Sequence, residues 1–138
     1  IMWENRPTEI SETGTSDPSI LYCCVRGWWP DLGNTHQDPL FAGRGYWADP
    51  EDPALVLTRD NDLAVWVEGD YHLKSKAGRW DPAANAWVQD ETTSTAIDAG
   101  YSASSVGYEP APNGGIINMG AYGGTTEASL SVGTTQLP

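Results

Sequence analysis

The stretch GRWDPAANAWV, residues 78–88, contains two tryptophans on either side of a turn-forming segment. The Asp-Pro dipeptide at its centre favours the start of a turn and excludes the middle of a sheet, and Asn85 tolerates a left-handed backbone conformation. If residues 82–85 form a four-residue loop, Trp80 and Trp87 face each other across a β-hairpin, with Cβ atoms about 5 Å apart. The stretch therefore predicts a hairpin with a paired aromatic face.

The rest of the chain also favours short strands. The 138 residues include 15 glycines and 10 prolines, which are spread along the chain and mark frequent turns. No window shows the apolar spacing of an amphipathic helix, so a helical bundle is excluded. Apolar runs and alternation predict short strands, one of them interrupted at Gly69, within IMWEN (1–5), SILYCCVRG (19–27), DLAVWVEGDYHLKS (62–75), TSTAIDAGYS (93–102) and GGIINMGAYGGT (114–125).

The charge of the chain limits its partners. Nineteen acidic residues against seven basic ones give a formal net charge of −12. Such a chain is repelled by nucleic acid and by anionic lipid surfaces, because both are bound mainly through cationic side chains. No segment approaches the roughly 20 apolar residues that are needed to cross a bilayer. We therefore expect neither nucleic-acid binding nor membrane insertion.

The two cysteines are adjacent, at positions 23 and 24. Neighbouring residues of a strand point to opposite faces, so Cys23 and Cys24 are poorly placed to form a disulfide with each other. Two buried thiols, or one buried and one exposed, are the alternatives. His36 and His72 lie 36 residues apart and there is no CxxC motif, so the sequence offers no zinc-binding pattern.

Several segments together resemble a known family. The order IMWEN, ILYCCVRG, DPLF, GDYHLKS, STAIDAG, INMGAYGGT resembles the C-terminal region of secreted bacterial right-handed parallel β-helix proteins. Those chains are pectate-lyase-like, carry parallel β-helix repeats and occur in planctomycete-like genomes. Here Thr95 stands in place of a proline that is usual in that family.

The resemblance implies a fold and a location. The expected fold is all-β: a short right-handed parallel β-helix of about three coils, with loop insertions, the small β-hairpin and a terminal cap. It implies a β-helix module over residues 1–124, followed by a polar tail or linker stub over 125–138. A secreted, extracellular or cell-surface location follows from the same resemblance.

The aromatic content indicates a ligand class. Seven tryptophans and six tyrosines occur in 138 residues. Sugar rings have apolar C–H faces that stack on aromatic rings, while their hydroxyls bond to polar groups at the rim, although buried aromatics also build cores. Trp66 is expected in the core, and the hairpin pair is also interpretable as a clasp over the last coil. The candidate carbohydrate-binding residues are Trp28, Trp29, Tyr46, Trp47, Trp80 and Trp87.

Acidic loops raise the alternative of a structural Ca²⁺ ion, which takes oxygen ligands. No cofactor is otherwise required. None of the loops matches the D-x-[DN]-x-[DN]-G calcium pattern. The candidate ligands are Asp31, Asn34, Asp38, Asp49 and Asp52.

These observations predict a non-catalytic carbohydrate-binding module that recognises plant-type polysaccharide, such as xylan or glucan, and tethers an enzyme or a cell to it. One alternative is the C-terminal piece of a β-helix polysaccharide lyase or hydrolase. Another is a structural cell-surface or fibre-forming subunit that self-associates through β-helix ends. For a lyase, the candidate bases are Arg6, Arg26, Arg44, Arg59, Lys74, Lys76 and Arg79, none of them in a recognisable active-site motif.

Overall fold

The computed structural model describes residues 1–15 and 17–133. The described residues contain six short strands and no α-helix, and none of them forms a helix that is long and apolar enough to cross a membrane. The strands pair as three two-stranded antiparallel sheets, β1–β4, β2–β3 and β5–β6. Their bounds are β1 Phe41–Gly43, β2 Tyr46–Ala48, β3 Val65–Val67, β4 Asp70–Leu73, β5 Arg79–Asp81 and β6 Ala86–Val88.

The first two sheets form one interrupted ribbon, in which residues 41–48 run antiparallel to residues 65–73. The pairs Gly43–Asp70 and Ala48–Val65 are in the same register. The pair Phe41–Leu73 is shifted from that register by one residue. The ribbon is broken where residues 44 and 45 meet residues 68 and 69. The prediction of a strand that is interrupted at Gly69 and resumes through Tyr71 is confirmed.

Glycine is required at the break because the two backbones approach closely there. A Cβ atom at Gly69 would lie 2.4 Å from the backbone nitrogen of Gly45 and 2.6 Å from the carbonyl carbon of Arg44. Real Cβ atoms do not approach other atoms so closely, so only glycine allows the ribbon to bend at this point.

The hairpin predicted from GRWDPAANAWV is confirmed. β5 and β6 pair with Trp80 opposite Trp87 and Asp81 opposite Ala86, so residues 82–85 form the loop. Asn85 has a φ of 51°, the left-handed conformation that its side chain tolerates.

The prediction of a right-handed parallel β-helix is wrong. A β-helix needs parallel ladders between successive coils, whereas every ladder in the described chain is an antiparallel pair. Among residues 1–15 and 17–133, parallel pairing occurs only as two isolated bridges, Met2 with Val25 and Cys24 with Thr35. The coil ends on which the fibre-forming alternative depended are therefore not found among the described residues.

Side-chain hydrogen bonds explain why the predicted strands around residues 93–102 and 114–125 do not form. The backbone N–H of Asp98 donates to Oδ1 of Asn118 (2.8 Å), and Ser94 Oγ donates to the carbonyl of Pro39 (2.6 Å). Only two backbone bonds, Gly100 to Ile117 and Met119 to Ala96, join the two segments. Short polar side chains thus replace a β-ladder here.

The hydrophobic core is small and draws on distant parts of the chain. Its buried members are Cys24, Leu73, Ala96, Ile97 and Met119, with Ile1, Trp3, Phe41 and Ala99 packed against them. Both cysteines are free thiols: Cys24 is fully buried and Cys23 is half-buried. The buried surroundings raise the pKa of Cys24 to about 11.

The C-terminal segment, residues 127–131, lies against β4 and the residues that follow it. Ser129 Oγ donates to the carbonyl of Leu73 (2.5 Å), and the N–H of Leu130 donates to the carbonyl of Gly78 (2.8 Å). Ala128, Ser129 and Ser131 are all buried. The domain boundary predicted at residue 124 stays a prediction, and residues 134–138 of the predicted tail lie outside the described part of the chain.

Candidate functional site

Five aromatic side chains line a cleft that has a volume of about 700 Å³. We call it the aromatic cleft. The N-terminal segment, residues 1–6, forms one wall with Trp3, the interrupted ribbon supplies the other aromatic residues, and Gly120 and Ala121 complete the lining. The aromatic lining residues are Trp3, Phe41, Trp47, Trp66 and Tyr71.

Edge-to-face contacts fix these rings relative to one another. The ring centroids of Trp47 and Trp66 are 5.1 Å apart at 63°, and those of Phe41 and Tyr71 are 5.3 Å apart at 79°. Aromatic pairs favour such tilted geometry because of their quadrupoles. Trp66 Nε1 donates to the hydroxyl of Tyr71 (3.0 Å), which donates to Oε2 of Glu68 (2.6 Å). The cleft is therefore pre-organised by its own side chains.

Arg6 locks the N-terminal wall to the ribbon side of the cleft. Its guanidinium donates to the carbonyls of Arg59 (3.1 Å), Asn61 (2.7 Å) and Ala64 (3.3 Å). The same group lies 4.1 Å from the centroid of the Trp47 ring, a cation–π contact. A guanidinium presents its donors in a planar fork, which suits this set of fixed acceptors.

Charged groups of both signs form the rim of the aromatic cleft. Glu4 lines the cleft and lies 3.6 Å from Arg44 and 3.9 Å from Arg26. Arg44 also pairs with Asp38 and, together with Gly45, lines a small recess beside Trp66. An apolar floor with a few donors and acceptors at its edge is the usual composition of a small-molecule site.

Trp28 and Trp29 line a second cleft of about 360 Å³, together with Arg26, Glu9 and Arg59. Trp28 is 52% exposed and stands edge-on to His36, with centroids 5.1 Å apart. Trp29 is half-buried, and its Nε1 donates to Asp31 (3.2 Å). Both predicted tryptophans therefore line the same cleft.

The remaining predicted aromatic residues do not share one site. Trp47 lines the aromatic cleft, whereas the hydroxyl of its neighbour Tyr46 donates to the carbonyl of Pro53 (3.2 Å). Trp80 and Trp87 pair in the hairpin, with centroids 5.8 Å apart at 65°. A Cβ atom at Gly78 would lie 2.9 Å from Leu130 and 3.7 Å from Trp87, so the hairpin packs beside the C-terminal segment.

The predicted calcium ligands serve as local turn acceptors. Asp49 accepts from the N–H of Glu51 (2.8 Å) and Asp52 from the N–H of Ala54 (3.1 Å), the geometry of Asx turns. Three more stabilise loops earlier in the chain: Asp31 accepts from the N–H of Ile20, Asn34 from that of Cys23, and Asp38 from that of Leu40. Residues 1–15 and 17–133 contain no metal-binding cluster of three or more His, Cys, Asp or Glu side chains. A structural Ca²⁺ stays a prediction.

Arg79 and Asp90 form a bidentate pair beside the hairpin. Arg79 Nε lies 3.1 Å from Oδ2 and Nη2 lies 3.2 Å from Oδ1 of Asp90, which also accepts from the N–H of Ser75 (2.9 Å). Burial acts to raise the pKa of Asp90, but the hydrogen bonds from Arg79 and Ser75 outweigh it and hold that pKa below its ordinary value. Arg79 is thus engaged structurally rather than presented as a base.

A buried histidine links β4 to the C-terminal segment. His72 is 1% exposed, and its two ring nitrogens lie 2.5 Å from Asp70 Oδ1 and 3.1 Å from Glu127 Oε2. Its ring stacks on Tyr122 with centroids 3.6 Å apart. Burial, followed by the negative charges of Asp70 and Glu127, raises the pKa of Tyr122. The arrangement ties two segments together around a stacked pair.

Sequence reasoning missed most of the aromatic cleft. Trp3, Phe41 and Tyr71 were not predicted as ligand contacts, and Trp66 was assigned to the core although it is only half-buried. These residues come from three separate segments, so no local motif could reveal that they converge. The high tryptophan content was the only relevant signal.

Comparison with known proteins gives one partial match. Residues 50–100 match the model of a family described as disaggregatase related. This stretch supplies Trp66 and Tyr71 to the aromatic cleft and includes the whole hairpin. No curated protein and no solved structure matches the chain. The resemblance to parallel β-helix proteins and to planctomycete-like members is not confirmed by any of these comparisons.

Proposed function

We propose that the chain is a carbohydrate-binding module, and that its aromatic cleft binds a polysaccharide. The observation that carries this proposal is the convergence of five aromatic side chains in one cleft of about 700 Å³ with a charged rim. Aromatic rings match the apolar faces of sugars, and the arginine and carboxylate groups match their hydroxyls. A role on plant-type polysaccharide outside the cell, tethering an enzyme or a cell, fits this chemistry.

The unpaired indole groups of the cleft support a hydroxyl-rich ligand. Nε1 of Trp3 and Nε1 of Trp47 are buried without an acceptor in the part of the chain that the structure describes. A buried unpaired donor costs about 1–3 kcal/mol, so a ligand oxygen that reached either nitrogen would recover part of this free energy. An apolar ligand would recover none of this free energy, because it has no acceptor for the two N–H groups.

The local charge also favours a polar ligand. Although the whole chain carries a net charge of −12, four arginines lie at the two clefts and the adjoining recess. Arg6 is held by backbone carbonyls rather than by a carboxylate, so its charge remains effective at the cleft. Xylan and glucan offer hydroxyls to these donors, whereas pectin also offers carboxylates, so both types belong in the test.

Affinity electrophoresis against xylan, glucan, mannan and pectin tests the proposal. We expect at least one polysaccharide to retard the chain and to shift its tryptophan fluorescence. Trp66→Ala is expected to weaken binding by about tenfold or more, since a central aromatic truncation costs about 2 kcal/mol. Trp66→Phe, which keeps a ring but loses the bond to Tyr71, should retain part of the affinity.

The matched control is Tyr108→Ala, which removes an aromatic ring that is 79% exposed and lines neither cleft. It should bind like the parent chain. Migration unchanged in all four polysaccharides, or equal losses in Trp66→Ala and Tyr108→Ala, would contradict the proposal. Release of reducing or unsaturated ends from any of them would instead indicate a catalytic chain.

A further inference from the structure

We propose that the aromatic cleft and the second cleft are two subsites of one extended site, so that the chain recognises several consecutive sugar units of a polysaccharide rather than a single sugar. This inference rests on the proposed function and specifies the length and form of its ligand. Three observations support it: one segment lines both clefts, a ligand can cross the junction between them, and the ring of Trp28 is exposed in the second cleft.

One segment of backbone contributes to the lining of both clefts. Residues 4–6 line the aromatic cleft, and residues 8–10 line the second cleft. Reciprocal bonds hold this segment to the loop that follows residue 58: Arg6 donates to the carbonyl of Arg59, and Arg59 donates to the carbonyl of Asn5 (3.0 Å) and to Glu9 Oε1 (3.2 Å). A wall fixed in this way keeps the spacing between the clefts constant.

The clefts meet at an ion pair that a sugar chain can displace. Glu4 lines the aromatic cleft, Arg26 lines the second cleft, and their side chains lie 3.9 Å apart. Both side chains are partly exposed, at 28% and 44%, and such a pair contributes only about 0–1 kcal/mol. Ligand hydroxyls can therefore replace the contact at little cost, because they offer both donors and acceptors.

Trp28 is presented in a conformation that folding alone does not favour. Its φ of 78° lies in the left-handed region, where a bulky side chain is strained, yet its ring is 52% exposed and gains little from burial. Its exposed ring is open to a ligand in the second cleft.

Two linked subsites give a measurable dependence on ligand length. Once one cleft is occupied, binding in the other is intramolecular, so a ligand that spans both gains affinity without a new type of contact. The experiment measures, by calorimetry, the affinity of the chain for xylan, glucan, mannan and pectin fragments from the monosaccharide to the hexasaccharide. We expect affinity to rise until the fragment spans both clefts and then to level off.

Variants show which cleft is responsible for each part of the dependence of affinity on fragment length. Trp28→Ala should flatten the curve and weaken hexasaccharide binding by about tenfold, whereas Trp66→Ala should weaken binding at every length. Trp28→Tyr, which keeps a ring, should preserve the rise, and Tyr108→Ala should match the parent. A curve that levels off at the disaccharide, or an unchanged curve in Trp28→Ala, would overturn the two-subsite inference and leave the binding function intact. Absence of binding to all fragments and polymers would instead overturn the function.

Discussion

Trp66 fills the space that a side chain at Gly45 would need. A Cβ atom at Gly45 would lie 2.6 Å from Cε2 of Trp66 and 2.7 Å from the carbonyl oxygen of Val67. Gly45 is buried at the break of the ribbon, so neither backbone has room to move away. The Trp66 ring can therefore occupy its place in the aromatic cleft only because residue 45, between β1 and β2, is a glycine.

Gly45→Ala is expected to displace Trp66 and damage the cleft. Overpacking of this kind costs about 1–3 kcal/mol of unfolding free energy, measurable by urea denaturation. Polysaccharide affinity should fall as well, because the ring loses its place against Trp47. Gly133→Ala, where no described residue lies within 4 Å of the added Cβ atom, is the matched control and should behave like the parent. Normal stability together with normal binding in Gly45→Ala would show that Trp66 is not held in this way.

Arg6→Lys separates the charge of Arg6 from its fork of donors. A lysine keeps the cation but cannot satisfy three carbonyls in one plane, so we expect a loss of about 1–3 kcal/mol in unfolding free energy and weaker binding. Arg44→Lys changes an exposed rim arginine whose ion pairs contribute little, and it should cost less than about 1 kcal/mol in urea denaturation. Equal stability of both variants would show that the donors of Arg6 do not hold the N-terminal wall of the cleft in place.

Trp80→Ala should affect stability more than affinity. Trp80 pairs with Trp87 in the hairpin beside Leu130, and neither tryptophan lines the two clefts. Loss of the half-buried Trp80 ring and of its contact with Trp87 is expected to lower the unfolding free energy by about 1–3 kcal/mol. Thermal melting and affinity electrophoresis of one preparation distinguish the two effects. Unchanged melting with lost binding would show instead that the hairpin is a ligand-binding surface.

Asp90→Asn should reduce stability in a pH-dependent manner. Because the folded-state pKa of Asp90 is lowered, its stabilising contribution is present above the unfolded value of about 3.9 and is lost as the pH falls through the folded value. We expect Asp90→Asn to be about 1–2 kcal/mol less stable than the parent at pH 7. Urea denaturation should show this difference shrinking as the pH falls below the unfolded value. Glu91→Gln, at the exposed neighbouring position, should show no such difference at neutral or at acidic pH.

The two thiols should differ in reactivity. Cys24 is buried with a pKa of about 11, so almost none of it is thiolate at neutral pH, whereas Cys23 is half-buried. Iodoacetamide at neutral pH is expected to label one thiol rapidly in the folded chain and a second only after unfolding, as mass spectrometry can follow. In Cys23→Ser the folded chain should remain unlabelled. Rapid double labelling would show that the core around Cys24 opens.

Local features of the fold were predictable because they depend on neighbouring residues. Asp81-Pro82 and Asn85 encode the turn that opposes Trp80 and Trp87, and Gly69 marks the break between β3 and β4. The parallel β-helix was not a local inference. It assumed which distant strands pair, and the pairing in the structure is antiparallel between segments that turns and glycines bring together.

The sequence by itself determined an acidic, tryptophan-rich, all-β chain with one hairpin, because composition, turn chemistry and strand alternation act over a few residues. Only the tertiary structure decided which tryptophans share a cleft. Trp3, Trp47 and Trp66 come from separate segments, and their convergence depends on the backbone approach at Gly45 and on the reach of Arg6 across more than fifty residues. Such contacts arise from packing of the whole chain, which leaves no pattern in any one stretch.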